Sequence, residues 1–295
     1  MLTHKILLSL TAAAAILCSC SPKVTEPKVM AREVPERMDD FIFENDLICY
    51  RIYGKALEKE TLSPGFDVWV KTPGPLVADQ RYEDDLQHGK SYHKDWGNGK
   101  DCYKVGVSLG AGASVPLIEN RFQYPKTNWR SSEIVSMTPE KLEFVLHYPQ
   151  WKGDGEVFTL DKKITVFAGS YFVKVEDTYT FEGEYDEVEI CAGIVRHDIE
   201  SEESGDDWFA IWETASDQSA EKEDGRIGLA LFMPGAEAVT LSHGGDHSVC
   251  IRTVKSGETV TYWTGSCWSK GDLKTASDWF DKVKAFSGKE YKKLK

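Results

Sequence analysis

The 295-residue chain has little that would tie it to nucleic acid. Asp and Glu outnumber Lys and Arg by 48 to 35, for a formal net charge of −13. That balance argues against nucleic acid and against adsorption to an anionic membrane surface, and it disfavours long-range capture of a polyanion but not local recognition of one carboxylate. No CxxC pair occurs among its seven cysteines, so neither a zinc knuckle nor a redox dithiol motif is indicated. After Cys18 and Cys20 are set aside, Cys49, Cys102, Cys191, Cys250 and Cys267 remain. An odd number fits no complete disulfide framework; most of these read as small buried hydrophobes, with one or two disulfides left open. No Gly-Lys-Ser/Thr follows a glycine run, which removes the phosphate-binding loop. The interior has no Pro/Ser linker and no internal repeat, so residues 34–295 read as one domain.

Long apolar runs are scarce as well. The exception is "MLTHKILLSLTAAAAILCSC" (1–20), where Lys5 precedes an apolar stretch too short to span a membrane comfortably. It reads as an export signal, and its ending "LCSC" resembles a bacterial lipobox with Cys20 as the acylated residue. A membrane is then expected to be met only through that lipid, with the chain facing the periplasm or the cell surface. Residues 21–33, "SPKVTEPKVMARE", read as a polar tether.

From about residue 134 the chain alternates with period two. "KLEFVLHY" (141–148) is a strand, and "DKKITVF" and "YFVKVEDTYTF" flank a hairpin turn at Ala168-Gly169-Ser170. "YDEVEICAGIV", "WFAIWET", "RIGLALFM" and "AVTLSH" continue the series. "SVCIRTV" and "TVTYWTGSCW" read as a second hairpin about Lys255-Ser256-Gly257-Glu258. The spacing predicts an all-β protein built as a large antiparallel sandwich. Upstream, Asn45-Asp46 reads as a turn between strands carrying Phe41 and Phe43 on one side and Ile48, Tyr50 and Ile52 on the other. "IESEESGDD" (199–207) and "DQSAEKEDG" (217–225) read as solvated loops. Ala276, Trp279, Phe280, Val283 and Phe286 fall at helical spacing behind a Thr275 cap, with Gly288 as the stop, which predicts a short C-terminal helix docked by its apolar stripe.

Chemically capable residues concentrate in "SYHKDWGNGKDCYKVGVSLGAG" (91–112). Gly106-Val107-Ser108-Leu109-Gly110 matches a nucleophile elbow, but no helix can start in the following "AGASVP", so the esterase reading is weak. Asp95, Asn98 and Asp101 invite a calcium loop, yet glycines occupy two ligand positions and Gly106 stands where the loop needs Glu. His243 and His247 have a metal-like spacing broken by Gly-Gly. Glu44, Asp46 and Arg51 are either a structural ion pair or cleft-lining, and Arg196-His197-Asp198 closes a strand as either a presented base or a surface pair. What remains is a cationic island from Lys90 to Lys104 in an acidic protein. His93 is the proton carrier, and Lys104 is expected to depress the Tyr103 phenol. The bland alternative is a pinned loop whose Asp side chains cap turns.

Three blocks, "VPERMDDFIFENDLICYRIYG", "YHKDWGNGKDCYKVG" with its following "GAG", and "YWTGSCWSKGDLKTASDWF", resemble an exported Bacteroidetes lipoprotein family catalogued as a domain of unknown function and associated with polysaccharide-utilisation gene clusters. The resemblance implies a galactose-mutarotase-like supersandwich, acidic glycans as substrates, and elimination or dehydratase chemistry. His93, Asp95, Gly97, Gly99, Asp101, Tyr103 and Gly106 match its central block, whereas "RHD" (196–198) and "SHGGDH" (242–247) depart from it.

The first expectation is a lyase or dehydratase on uronate-containing oligosaccharides. His93 and Tyr103 serve as the base/acid pair, with Asp95 and Asp101 orienting the loop. Lys94, Lys104 and Arg51 meet the carboxylate, and Trp96 and Trp268 the sugar rings. No cofactor is expected beyond the weak calcium pattern. The alternatives are a glycoside hydrolase or mutarotase using carboxylates such as Asp95 and Glu44, and a non-catalytic sugar-binding module stacking on Trp96, Trp268 and Tyr103.

Overall fold

A computed structural model describes residues 26–217 and 220–294. The export signal, Cys20 and the first part of the tether lie outside the described residues. Three antiparallel sheets make up the chain. The largest has eight strands in the spatial order Ile199–Ser204, Trp208–Thr214, Arg226–Phe232, Thr259–Trp268, Phe172–Gly183, Glu156–Phe167, Lys141–Lys152 and Ser131–Met137. A five-stranded sheet, in the order Ala238–Leu241, His247–Lys255, Glu187–Val195, Ala111–Ile118 and Arg121–Phe122, faces it to form the sandwich. The all-β antiparallel architecture is the one the alternation predicted. Among the described residues, no helix is long and apolar enough to cross a membrane.

The third sheet positions the site. Its strands are β1 (Val29–Val34), β2 (Asp40–Asn45), β3 (Cys49–Ile52), β4 (Phe66–Val70) and β5 (Lys100–Asp101), in sequential order. β1 replaces much of the expected tether: Val29 to Val34 pair with Asn45 to Asp40, and Val29 and Val34 are buried. Phe41, Phe43, Tyr50, Ile52, Phe66, Val68 and Val70 point into the main core. The opposite face would ordinarily meet water, since one-sided burial is what alternation signals in antiparallel sheets. Here it carries Asp40, Ile42, Glu44, Cys49, Arg51, Asp67 and Trp69, and all are buried.

Helix α1 (Ala78–His88) and the loop after it cover that face, through Ala78, Tyr82 and Tyr92 packed on Ile42, Cys49 and Trp69. The helix was not legible in its sequence, "ADQRYEDDLQH", which offers only Ala78, Tyr82 and Leu86 at four-residue spacing, and Leu86 stays exposed. Glu44 starts it: Oε1 accepts from the Val77 and Ala78 amides at 2.7 and 2.8 Å, and Oε2 from Lys71 Nζ at 3.2 Å. A carboxylate there satisfies orphan N–H donors and complements the helix dipole.

The hairpin turn at Ala168-Gly169-Ser170 formed where its residues predict it. Gly169, at φ 70°, closes the Glu156–Phe167 and Phe172–Gly183 pair. Asn45 ties the β2–β3 turn to that tip through Phe167 O and Ser170 O at 2.6 and 2.8 Å. The turn at Lys255–Glu258 differs from its reading. The strands on either side belong to different sheets, so it is a corner between layers rather than a hairpin. "IESEES" is an edge strand paired with Trp208–Thr214, not a loop; its charged side chains discourage further strand pairing. In the second acidic stretch, Asp224 is buried and accepts from Lys100 Nζ at 2.8 Å.

Helix α2 (Ala276–Gly288) docks as its stripe predicts, with Trp279, Phe280, Val283 and Phe286 buried. Thr275 and Asp278 form a reciprocal capping box. Phe172 stacks on Phe286 and Trp279 with ring centroids 3.9 and 5.6 Å away. Gly228 permits this approach, because a Cβ there would lie 2.9 Å from the Trp279 ring. The five remaining cysteines are buried free thiols.

Candidate functional site

The buried face of the small sheet holds an ion cluster centred on Arg51. Its Nε donates to Asp67 Oδ2 at 2.8 Å and its Nη2 to Asp101 Oδ2 at 3.0 Å, with Asp40 3.9 Å from Nη1. Register explains the convergence: Arg51 on β3 is paired with Asp67 on β4, and Trp69 on β4 with Asp101 on β5. The guanidinium carbon lies 5.1 to 5.5 Å from the ring centroids of Trp69, Tyr53 and Tyr92. Burial pushes all three carboxylates above their usual range, Asp40 to about 6, and Arg51 opposes the rise. Arg51 is therefore committed inside the protein and does not reach a substrate carboxylate; that expectation is corrected.

His93 sits where this cluster meets the surface. Its side chain is 38% exposed, and Nδ1 lies 3.3 Å from Asp101 O, 3.6 Å from Asp101 Oδ2 and 4.0 Å from Asp217 Oδ1. Asp101 thus links a partly exposed imidazole to a buried guanidinium. The loop around it is shaped locally. Asp95 Oδ1 accepts from the Gly97 and Gly99 amides at 2.8 and 3.0 Å, the everyday turn-capping use of Asp beside Gly. Burial alone would raise Asp95, but those two amides and Lys270 outweigh it and hold the carboxyl below its usual value. Asp95 and Asp101 therefore serve different partners and do not converge as calcium ligands. Among the described residues, no group of three His, Cys, Asp or Glu side chains is arranged to hold a metal.

Lys94, Trp96 and Lys104 are exposed, and Lys94 Nζ lies 4.7 Å from the centroid of Trp96, itself 50% exposed. Trp268 is different. It is buried, donates from Nε1 to Asp224 O at 2.6 Å, and is covered by Lys270, so it offers no stacking face. Tyr103 is also buried, which removes it as a stacking platform. Its phenol is not depressed by Lys104: burial and then the Glu213 charge raise it well above its ordinary value.

Tyr103 leads to a second pair that the sequence did not single out. Its ring packs edge-on against His197 at 5.3 Å between centroids. His197 Nδ1 is 2.9 Å from Oε1 of the buried Glu213. Burial pushes Glu213 above its usual value, and the His197 hydrogen bond works against that rise. Glu213 Oε2 and the Tyr103 hydroxyl are buried without hydrogen-bond partners. Each such group carries a desolvation penalty of roughly 1–3 kcal/mol. The only signal for His197 in the sequence was its position at a strand end; nothing local announced Glu213, sixteen residues away.

The two pairs share their supports. His93 leans on Asp101, and Tyr103, two residues on, leans on His197. Across from them, Cys102 O accepts from the Ser216 and Asp217 amides at 3.2 Å each, which docks the segment carrying Glu213 and Asp217.

The remaining motifs are structural. Ser108 is buried, donates to Val105 O at 2.5 Å and accepts from the Gly110 amide at 2.9 Å, which is not an exposed nucleophile. His247 is buried with Nε2 accepting from the Leu109 amide at 3.2 Å, while His243 is exposed on a turn. Arg196 forms a surface pair with Glu202 at 2.5 Å.

Among known proteins, this chain is similar to the Uncharacterized protein P7 of Formosa agariphila, 26% identical over 277 residues, covering 88% of this chain and 67% of that protein. Solved structures give weaker likenesses. One is a putative kojibiose phosphorylase from human microbiome, with a TM-score of 0.35, 8% identity, 50% of this chain and 21% of that chain. Another is a 4-alpha-glucanotransferase from Thermococcus litoralis, with a TM-score of 0.34, 9% identity, 83% of this chain and 40% of that one. A third is a GH36 alpha-galactosidase from Geobacillus stearothermophilus, with a TM-score of 0.34, 9% identity, 78% of this chain and 40% of that one. The chain thus spans 21 to 40% of the length of these solved structures. A family model described as Domain of unknown function (DUF4861) matches residues 18–295, and the chain belongs to that family.

Proposed function

We propose that the protein is carbohydrate-active and catalyses an elimination, as a lyase or dehydratase, on uronate-containing oligosaccharides, with His93 as the base. The observation that carries this is the His93–Asp101–Arg51 chain. A base needs a neutral imidazole with one nitrogen fixed and the other facing substrate. Asp101 offers both a backbone oxygen and a carboxylate oxygen to Nδ1, so Nδ1 holds the proton and Nε2 presents its lone pair. Arg51 holds Asp101 in place behind the ring through a hydrogen bond of 3.0 Å.

Lys94 and Lys104, both exposed on this loop, supply positive charge for the uronate carboxylate, which makes the adjacent C–H more acidic as charge develops. Trp96 supplies a stacking face for the sugar. Asp95 and Glu44, the carboxylates of a hydrolase reading, are instead engaged with backbone amides. An elimination of this kind requires no cofactor. With its export signal and Cys20 lipid, the chain would meet oligosaccharides on the periplasmic or cell-surface side of a membrane, anchored by that lipid alone.

Elimination creates a double bond conjugated with the carboxylate, so turnover is read as new ultraviolet absorbance. His93→Ala should reduce it about 100-fold or more, and Trp96→Ala should weaken substrate binding. Undiminished turnover by His93→Ala would overturn the assignment of the base. Trp96 also favours a second reading, a sugar-binding module; binding of acidic oligosaccharides without any absorbance change would select it.

A further inference from the structure

His197 is held differently from His93, and the difference lies in what stands behind the carboxylate. Asp101, behind His93, also pairs with Arg51. Glu213, behind His197, is fully buried on the strand Trp208–Thr214, and among the described residues His197 is the side chain that pairs with it. Nδ1 of His197 is thus held by a carboxylate that, among the described residues, no guanidinium shares. The His197 side chain keeps 13% exposure, so its ring edge reaches the surface that Glu213 does not. Glu213 Oε2 and the Tyr103 hydroxyl are buried without hydrogen-bond partners.

Position adds to chemistry. The segment 101–103 carries one residue against each histidine, and the segment 213–217 carries one carboxylate to each. Two residues span at most about 7 Å of extended chain. The two histidines therefore lean on backbone positions that are near neighbours along the chain.

We propose that His197, held by Glu213, is the acid of the same reaction and protonates the departing oxygen. The inference rests on the elimination reading. In that step His93 Nε2 takes the proton from the carbon next to the carboxylate. The C–H electron pair becomes the new C=C bond, the C–O bond at the neighbouring carbon breaks, and its electron pair takes the Nε2 proton of His197. His93 leaves protonated and His197 neutral, and exchange of one proton each with water restores both. The departing group is a sugar alcohol or water, poor leaving groups that need this proton.

Two uronate substrates test it, one with a sugar as leaving group and one with a nitrophenol, which departs without protonation. His197→Asn should lose about 100-fold or more on the sugar substrate and stay within a few-fold of wild type on the nitrophenyl substrate. Glu213→Gln, which keeps the shape, should show the same selective loss. His93→Ala should lose both substrates alike. His197→Asn active on both, or equally impaired on both, overturns the inference while leaving the elimination reading standing. A wild type inert on both substrates overturns the reading and the inference together.

Discussion

Arg51→Met removes the guanidinium that compensates Asp67 and Asp101 and leaves a side chain of similar reach. Its contacts at 2.8 and 3.0 Å correspond to roughly 6 kcal/mol each of gross Coulomb attraction at an effective dielectric constant of about 20. Desolvation of the ions offsets much of that, by several kcal/mol per ion, so the sum is not a stability. The variant loses compensation while the carboxylates remain buried among Trp69, Tyr53 and Tyr92. Breaking a buried pair from one side costs about 3–5 kcal/mol. For a chain of this size that lowers Tm by roughly 6–20 °C. The loss has a sign with pH. Without Arg51 the carboxylates rise further above their unfolded value of about 3.9, so the folded state holds extra protons and loses stability as pH climbs through the higher values. The variant should lie nearest to wild type at about pH 5 and furthest at about pH 8, in urea unfolding followed by tryptophan fluorescence. A loss below about 1 kcal/mol at the higher pH, or one equal at both, refutes the reasoning. Adding Asp67→Asn and Asp101→Asn should recover part of it.

Asp40→Asn removes a carboxyl that burial raises to about 6. Its contribution is present below about pH 4 and lost as pH passes 6, so the variant should gain up to about 3 kcal/mol relative to wild type between those limits, read by denaturation at each pH. Glu44→Ala strips the start of α1 and leaves Lys71 without its carboxylate; a loss of about 3 kcal/mol and faster proteolysis between 77 and 90 are expected, and unchanged cleavage would count against the capping role. Trp279→Ala should cost about 3–5 kcal/mol because its ring fills the space above Gly228 and Phe172, whereas Thr275→Ala should cost only about 1 kcal/mol; equal losses in thermal unfolding would contradict this packing account. Ser108→Ala should leave turnover intact while lowering Tm slightly, since its hydroxyl serves Val105 and Gly110.

By itself the sequence determined what short-range chemistry determines. Period two and the Ala168-Gly169-Ser170 turn defined the long hairpin, and the Thr275 cap and apolar stripe defined α2. Asp beside glycines defined the turn at 95–99. In each case the partners lie within a few residues, so local geometry leaves few alternatives. Tertiary structure decided everything that depends on which surface is covered. α1 has too few apolar residues to declare itself, yet by covering the small sheet it turns Arg51, Asp67 and Asp101 from a solvent face into a buried cluster. Packing likewise separates Trp96, which stays exposed, from Trp268 and Tyr103, which belong to the main core. The corner at 255–258 sends adjacent strands to different sheets because the two apolar faces must meet each other rather than continue one ladder. His197 finds Glu213 only when the end of one sheet folds over an inner strand of the other. Sequence spacing fixes neighbours along a strand, but proton-transfer partners meet through packing, and packing is a property of the whole chain.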